Sequence, residues 1–279
     1  MLKRIITSIV AILILLPVFI FSDTWVFPIV VSLVCAIGCY EMISCVGQKK
    51  NLIVSIPLYI EALFFPNFLR YCSTMGKMDD FIKIAIFCVF GTILYVFAVA
   101  VFQTEKMAVT EAGLIASATV YIIAGLTCLV YVRDILFPGL AMFLLCLVCA
   151  FATDIFAYFT GYLFGKHKLI PAVSPKKTVE GAIGGVVFCV IFLVLFGFIV
   201  EATVVGADAN YLVLAIGGVF ISVVSQIGDL VMSLIKRKYG IKDYGKLFPG
   251  HGGVLDRCDS ILAVTIVITV IGTYFSMFN

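Results

Sequence analysis

Long runs of apolar residues, separated by short polar segments, make up most of this chain of 279 residues. Most runs hold about 20 residues, the length that an α-helix needs to cross the hydrocarbon core of a membrane. Helices are favoured because the runs are unbroken and lipid tolerates only structures that satisfy their own backbone. The pattern predicts nine membrane-spanning helices, over residues 5–22, 25–46, 52–70, 82–103, 109–131, 136–164, 179–200, 211–235 and 259–278.

The composition agrees with an all-α polytopic membrane protein. Hydrophobic residues make up 63% of the chain and charged residues 13%, with a mean hydropathy of +1.21. A soluble domain is about half apolar and a quarter charged. The ten cysteines show no disulfide or zinc pattern, and most lie inside apolar runs. We therefore expect Cys146 and Cys149, although they form a CxxC, to be small packing residues.

The distribution of lysine and arginine predicts which loops face the cytosol. With a cytosolic N-terminus and nine alternating spans, four of the 19 basic residues fall on the outer side: Arg70, Lys77, Lys83 and Arg133. This asymmetry follows the positive-inside rule. The N-terminus is therefore predicted to be cytosolic and the C-terminus to lie on the outer side. The first span lacks a clear cleavage site and is interpreted as a retained anchor.

Two predicted cytosolic segments, residues 165–178 and 236–258, are longer than the others. Because the pattern predicts no soluble domain, any chemistry must be built from helix ends and these two loops. We therefore divide the chain into N-terminal helices, residues 1–135, and a catalytic C-terminal region, residues 136–279.

Acidic residues in or beside the last spans are candidate metal ligands. Asp229 lies within an apolar span, where a carboxylate costs a few kcal/mol unless it is paired or metal-bound. Ser225 and Ser233, four residues to either side, share its helical face. Asp256 and Asp259 share a face at the start of the last helix. The three acids could hold a hard cation such as Mg²⁺, although acids at a helix N-terminus also act as caps.

A glycine-rich turn around His251 precedes these two acids. The N–H groups of Gly252 and Gly253 could point at phosphate, but the segment matches neither a P-loop nor GxGxxG, and a tight turn explains it equally well. The bases around the turn could bind phosphate or anionic lipid headgroups. The charged residues for which we weigh a phosphate contact are Lys236, Arg237 and Lys242, which flank Asp243, together with Arg257.

The other long loop offers a second basic segment. Ser174 before Pro175 predicts a turn or a helix entry. Thr178 is predicted to cap the next helix, with Glu180 in its first turn. Lys176 and Lys177 would then stand beside a positive helix end that suits a polyphosphate, although an ordinary basic loop is the alternative. Asp154 is a further acid inside a span, whereas Glu41 and Glu61 have no evident role.

These motifs resemble the signature of the phosphatidate cytidylyltransferases, the CDP-diacylglycerol synthases. The matching signature residues are Ser233, Lys236, Arg237, Lys242, Asp243, His251, Gly252, Gly253, Asp256, Arg257 and Asp259. The stretches Asp154–Tyr158 and Ser174–Gly181 are also similar to family segments. The resemblance is close over about residues 140–260 and rests on hydropathy elsewhere. Cys258 and Val179 depart from the pattern, but neither carries chemistry.

The resemblance implies that CTP and phosphatidate react to give CDP-diacylglycerol and pyrophosphate, for phospholipid synthesis. It implies Mg²⁺ held by Asp229 and Asp256 with Asp259 assisting, and a second, monovalent cation such as K⁺. The residues assigned to phosphate charge or catalysis are Lys176, Lys177, Arg237, Lys242, Asp243 and Arg257. The residues assigned to substrate binding are Asp154, Ser174, Thr178, Glu180, Ser233, Lys236, His251, Gly252 and Gly253. It also implies a homodimer in a bacterial inner membrane, with a cytosolic active site and no nucleic-acid partner.

Two other functions fit parts of the pattern. A CTP-dependent lipid kinase needs similar residues but yields a phosphorylated lipid and CDP. A cation-coupled transporter could use Asp154 and Asp229, although the predicted position of Asp229 near one face of the membrane argues against a site at the midplane.

Overall fold

The computed structural model describes Leu13 and residues 16–278, and this part of the chain is nearly all helical. Eight of its helices are long and apolar enough to cross a membrane, which confirms the predicted fold class. Residues 16–20 are also helical; the remainder of the span predicted over 5–22 lies outside the described residues, apart from Leu13 and the turn at 21–22. The orientation of the termini stays a prediction.

The eight long helices are α1 (Val26–Cys45), α2 (Leu52–Met75), α3 (Met78–Phe102), α4 (Val109–Asp134), α5 (Gly139–Phe164), α6 (Val179–Thr203), α7 (Tyr211–Lys238) and α8 (Leu255–Phe275).

Several helix boundaries differ from the hydropathy prediction by a few residues, and two of these differences have a clear physical reason. Helix α2 continues past Pro57 and Pro66 to Met75, and Gly76 ends it with a φ of 66°. Prolines are tolerated within membrane helices because neighbouring groups can satisfy the freed carbonyls, and glycine adopts a left-handed C-cap without a Cβ penalty. Helix α8 begins at Leu255, four residues before the predicted start at 259. Its first turn is polar, so hydropathy does not detect it.

The chain forms two compact units. Among the described residues, unit 1 comprises those up to Val130 together with Tyr239–Cys258, and unit 2 comprises Tyr131–Lys238 together with those from Asp259 onward. The long segment between α7 and α8 therefore belongs to the same unit as the N-terminal helices. The functional division at residue 135, expected from the sequence, stays a prediction.

Unit 1 is held by an apolar core that α1 to α4 share. Its buried members come from four helices and two connections: Ile43, Val46, Val54, Leu58, Val96, Val99, Ala100, Met107, Ala112, Ile115 and Ala116. Tyr239, the first residue of the α7–α8 segment, packs against this core. Tyr244, a few residues further along, is also buried. The core therefore anchors the beginning of the segment that carries the signature motif.

Unit 2 is built on close packing between α5 and α6. A Cβ on Gly181 would lie 2.6 Å from the Ala157 carbonyl oxygen, and one on Gly185 would lie 3.0 Å from that of Thr153. Glycines at these positions let the two backbones approach, as small residues do in membrane helix pairs. Cys146 and Cys149 are fully buried in α5, which confirms their interpretation as packing residues.

Candidate functional site

The loop after α5 contains a short β-hairpin that the sequence did not predict. Strands β1 (Lys168–Ile170) and β2 (Ser174–Thr178) pair antiparallel, with Lys168 opposite Thr178. The prediction of a turn or helix entry at Ser174 is wrong, because Ser174 pairs with Ile170 as the first residue of β2. Pro175 fits there because a two-stranded hairpin consists of edge strands, which tolerate a missing N–H.

The junction between β2 and α6 is capped as predicted. The Thr178 hydroxyl accepts a hydrogen bond from the Gly181 N–H at 3.1 Å, and Glu180 lies in the first turn of α6. The Glu180 carboxylate also contacts the His167 ring nitrogen Nδ1 at 2.6 Å and accepts from the His167 N–H. In this structure Thr178 and Glu180 thus fix the hairpin to the helix.

Lys177 and Asp229 form an ion pair between the hairpin and α7. The Lys177 Nζ lies 2.5 Å from the Asp229 Oδ2, and the two side chains are only 25% and 24% exposed. The Ser233 hydroxyl lies 3.5 Å from the other carboxylate oxygen, so the face predicted to be shared by Asp229 and Ser233 is confirmed. Arg237, one turn further, donates from Nε to the Val173 carbonyl at 3.4 Å. Lys176 and Arg237 remain exposed.

Two further acids lie within electrostatic range of Asp229 in unit 2. Asp154 on α5 accepts a hydrogen bond from the Ser260 hydroxyl at 3.0 Å and interacts with Asp229 and Lys177. Asp259 on α8 interacts with Asp229, Asp154 and the buried Lys236. We call Asp154, Asp229 and Asp259 the acidic cluster. It combines three carboxylates with the two lysines Lys177 and Lys236, so negative charge is in excess there when all five groups are ionised.

The acidic cluster does not converge on one point. Within the part of the chain that the structure describes, no group of three or more His, Cys, Asp or Glu side chains is arranged to hold a metal ion. Because Mg²⁺ is commonly held by one or two carboxylates, with water and phosphate completing its shell, this does not bear on the magnesium prediction.

The glycine-rich turn belongs to unit 1 and is internally hydrogen-bonded. Phe248 and Gly252 form an isolated bridge, and Gly250 and Gly252 have φ values of 82° and 88°. The Gly252 N–H donates to the Phe248 carbonyl at 3.1 Å, and the Gly253 N–H donates to the Asp256 Oδ2 at 2.9 Å. Both N–H groups predicted to point at phosphate therefore donate within the chain here, and their phosphate role stays a prediction.

Asp256 and Arg257 stabilise the same turn. The Asp256 Oδ2 also accepts from the Tyr244 N–H at 2.8 Å. The Arg257 guanidinium donates from Nε and Nη2 to the His251 carbonyl, at 2.9 and 2.6 Å. Asp256 lies in the first turn of α8, as predicted. Lys242 and Asp243 are exposed in the preceding segment.

Sequence reasoning missed one side chain that binds the end of this turn, Glu41 on α1. Its buried carboxylate accepts the Val254 and Leu255 N–H groups at 3.0 and 2.9 Å. The available signal was a carboxylate inside an apolar span, which lipid penalises unless it has partners.

Apolar spans, basic loops and buried carboxylates define an integral membrane protein with charged groups suited to phosphate chemistry. Its particular family follows from comparison: residues 2–275 match the Cytidylyltransferase family. The chain belongs to that family and is therefore an enzyme of the nucleotidyltransferase class.

Two bacterial relatives extend over most of the chain, and a third matches just under half of it. A phosphatidate cytidylyltransferase of Bacillus subtilis is 34% identical over 235 residues, which cover 83% of this chain and 84% of the relative. One from Staphylococcus haemolyticus is 30% identical over 268 residues, or 96% of this chain and 97% of the relative. One from Haemophilus influenzae is 44% identical over 130 residues, covering 46% of this chain and 44% of the relative. The family resemblance seen in the motifs is confirmed.

Proposed function

We propose that this chain transfers the cytidylyl group of CTP to phosphatidate, giving CDP-diacylglycerol and pyrophosphate. The observation that carries the proposal is the similarity, over nearly the whole length, to relatives named phosphatidate cytidylyltransferase. The acidic cluster and its lysines support it, because they bring charged groups for phosphate chemistry to helix ends in unit 2. The reaction needs such a place, since one substrate is a lipid and the other is soluble.

The chemistry requires positioning more than a strong base. An oxygen of the phosphatidate phosphate attacks the α-phosphorus of CTP and forms the new P–O bond. The bond from that phosphorus to the oxygen bridging the α- and β-phosphates breaks in line, and pyrophosphate leaves with the electron pair. The attacking phosphate is already anionic at neutral pH, so no protein group must remove a proton. The main barrier is the approach of two polyanions, which oriented positive charges lower.

The basic residues of unit 2 supply such charge. Lys177 is mostly buried and held by Asp229, so its ammonium acts through a lower dielectric than a surface lysine would. Lys236 is buried beside the acidic cluster and balances part of its charge. The exposed Lys176 and Arg237 can attract the soluble nucleotide. We assign these four residues to the phosphates of the substrates.

The residues present fit magnesium. The acidic cluster offers hard carboxylate oxygens with an excess of negative charge, the donor type that Mg²⁺ prefers. We assign Asp229 to the metal with Asp259 assisting, and we keep the metal role of Asp256 as a separate proposal for that carboxylate. When bound, the metal supplies positive charge on the polyphosphate and the leaving pyrophosphate.

We also propose a monovalent cation at the site, a homodimer, and an active site that faces the cytosol in a bacterial cell membrane. The family resemblance and the basic loops support these proposals.

Product analysis tests the reaction. Purified protein in detergent is given phosphatidate, Mg²⁺ and one nucleotide at a time, while pyrophosphate and lipid products are followed. We expect CDP-diacylglycerol to form with CTP and with no other nucleotide, and we expect EDTA to abolish its formation. CDP with a phosphorylated lipid would instead identify a lipid kinase. Ion flux in vesicles without nucleotide turnover would favour the transporter.

A further inference from the structure

Glu41 is a buried acid on α1. It contacts a segment that is far away in the sequence. The residue is 4% exposed, and its carboxylate lies against the start of α8, in unit 1. Oε1 accepts the N–H of Val254, and Oε2 accepts the N–H of Leu255. Each carboxylate oxygen therefore has its own backbone donor, 213 and 214 residues further along the chain.

These two N–H groups need an acceptor from elsewhere. The first N–H groups of an α-helix have no carbonyl partner within the helix, and its N-terminus favours negative charge. Helices commonly solve this with a capping side chain of their own, whereas Val254 and Leu255 are apolar. A carboxylate from α1 takes that place. Asp256 then accepts Tyr244 and Gly253, so two acids receive four N–H groups of one short segment.

Two glycines of the same segment close around the Glu41 carboxylate. A Cβ on Gly253 would lie 2.5 Å from the Glu41 Cδ, and a Cβ on Gly245 would lie 2.9 Å from it. Real Cβ atoms do not approach carbon so closely, so a side chain at either position displaces the carboxylate. The fit to Glu41 therefore accounts for glycine at both positions, independently of any ligand.

We propose that Glu41 is a positioning residue for cytidylyl transfer, which acts by fixing residues 253–256 at the start of α8. Through the Val254 and Leu255 N–H groups it holds the glycine-rich turn and the backbone that carries Asp256 in one geometry. The inference rests on the proposed function in one respect, the choice of CTP and phosphatidate as substrates.

The first test compares Glu41→Gln with a matched control. Glutamine keeps one carbonyl oxygen but presents an NH₂ group to the second N–H, so one hydrogen bond is lost and the negative charge disappears. The control is Glu61→Gln, because Glu61 is also an acid within a span but both of its oxygens contact the Thr92 hydroxyl, at 2.7 Å. Within the described part of the chain, its hydrogen bonds do not reach the α7–α8 segment.

Two readouts distinguish positioning from a general loss of folded protein. We expect the KM for CTP to rise about tenfold in Glu41→Gln, the size of one lost hydrogen bond to a charged group, with the KM for phosphatidate changed less than about twofold. Amide hydrogen exchange over residues 253–255 should accelerate about tenfold. In Glu61→Gln the KM for CTP and the exchange rate should stay at their wild-type values. In Glu41→Asp, which keeps the charge, the KM for CTP should lie between those of the wild type and Glu41→Gln.

Gly245→Ala keeps the inference testable if Glu41→Gln fails to fold, because it leaves Glu41 in place: displacing the carboxylate should raise the KM for CTP and accelerate amide exchange over residues 253–255. Where Glu41→Ala folds, the same substitution in that background should raise the KM for CTP much less, because no carboxylate is then left to displace. Gly113→Ala is the control, since its Cβ would meet Phe97 at an ordinary 3.7 Å. An equal effect of Gly245→Ala in both backgrounds would overturn the proposal.

The outcomes also separate this inference from the proposed function. Faster exchange with unchanged kinetics, or kinetics altered without faster exchange, would overturn the positioning role. If the wild-type protein makes no CDP-diacylglycerol, the proposed function fails. The exchange of residues 253–255 would then still show whether Glu41 holds this segment.

Discussion

Asp154 and Asp229 of the acidic cluster in unit 2 have a different kind of partner from Glu41 and Asp256, the two acids of unit 1 that bind the α7–α8 segment. In unit 2, Asp229 contacts Lys177 and Ser233, and Asp154 contacts Ser260, all through side chains. In unit 1, Glu41 and Asp256 accept backbone N–H groups. A side-chain partner can rotate away and be replaced by a ligand, whereas a backbone partner moves only if the turn itself opens.

This difference suggests a division of roles that the sequence does not show. Acids with side-chain partners can exchange them for a cation or for water without changing the fold. Acids with backbone partners set the geometry of the segment to which they are bonded. Asp256 is the informative intermediate, because the family resemblance implies a metal role that we propose for it, and the structure gives it two backbone donors.

Asp229→Asn should have the largest effect on turnover. The substitution removes a charge that pairs with Lys177 and that we assign to magnesium, so we expect kcat to fall about a thousandfold. The protein should stay folded, because asparagine has the same shape. The measurement is CDP-diacylglycerol formation across a magnesium titration. Asp208→Asn, in the exposed connection between α6 and α7, is the control, and near-normal turnover in Asp229→Asn would contradict the metal role.

Asp256→Asn and Asp256→Ala together decide whether the Asp256 carboxylate binds metal or only holds the turn. Asparagine can keep an oxygen for the Tyr244 and Gly253 N–H groups while losing the charge, whereas alanine loses both. If the carboxylate binds metal, both variants should lose about a hundredfold in kcat. If it only holds the turn, Asp256→Asn should retain most activity and Asp256→Ala should not. Steady-state kinetics, with amide exchange over residues 244–255, separate these outcomes.

The general architecture and several local features could be predicted from the sequence. Hydropathy predicts the membrane helices because lipid demands unbroken apolar runs. The Thr178 cap and the position of Asp256 at a helix start follow from local side-chain chemistry, and the structure confirms both. These features depend on residues within one or two turns of each other, which is the range that a single sequence reveals.

Features that depend on distant contacts could not be predicted in this way. The pairing of β1 with β2 involves a proline and consecutive lysines, without the alternation that marks a strand. The start of α8 at Leu255 depends on an acceptor from α1, more than 200 residues earlier. Hydropathy therefore places this helix start too late, and Glu41 receives no role.

Lys177→Gln should have a smaller effect than Asp229→Asn. It leaves the mostly buried Asp229 without its ammonium partner and removes one of several positive charges near the phosphates. We expect kcat/KM for CTP to fall about tenfold to a hundredfold, since other bases remain. Lys177→Arg should recover part of the loss. Lys168→Gln, an exposed lysine of the same hairpin, is the control; if it matches Lys177→Gln, only the general charge of the loop matters.

Glu111→Gln should have the smallest effect and extends the comparison beyond the signature. The Glu111 Oε2 accepts the Ala108 N–H at 3.2 Å and the Gln48 side chain at 2.9 Å, at the start of α4 in unit 1. The bond to the Ala108 N–H caps the start of a helix, and neither partner belongs to the signature. We therefore expect Glu111 to contribute to the free energy of unfolding and not to catalysis. The loss should be about 1 kcal/mol, the value of a helix cap, seen as a melting temperature lower by a few degrees. Turnover of the folded protein should stay within about twofold, as in Glu105→Gln, an exposed acid of the preceding connection. A large loss of turnover in Glu111→Gln would mean that backbone-bonded acids in unit 1 cannot be separated from catalysis, and that the distinction between the two kinds of carboxylate does not hold.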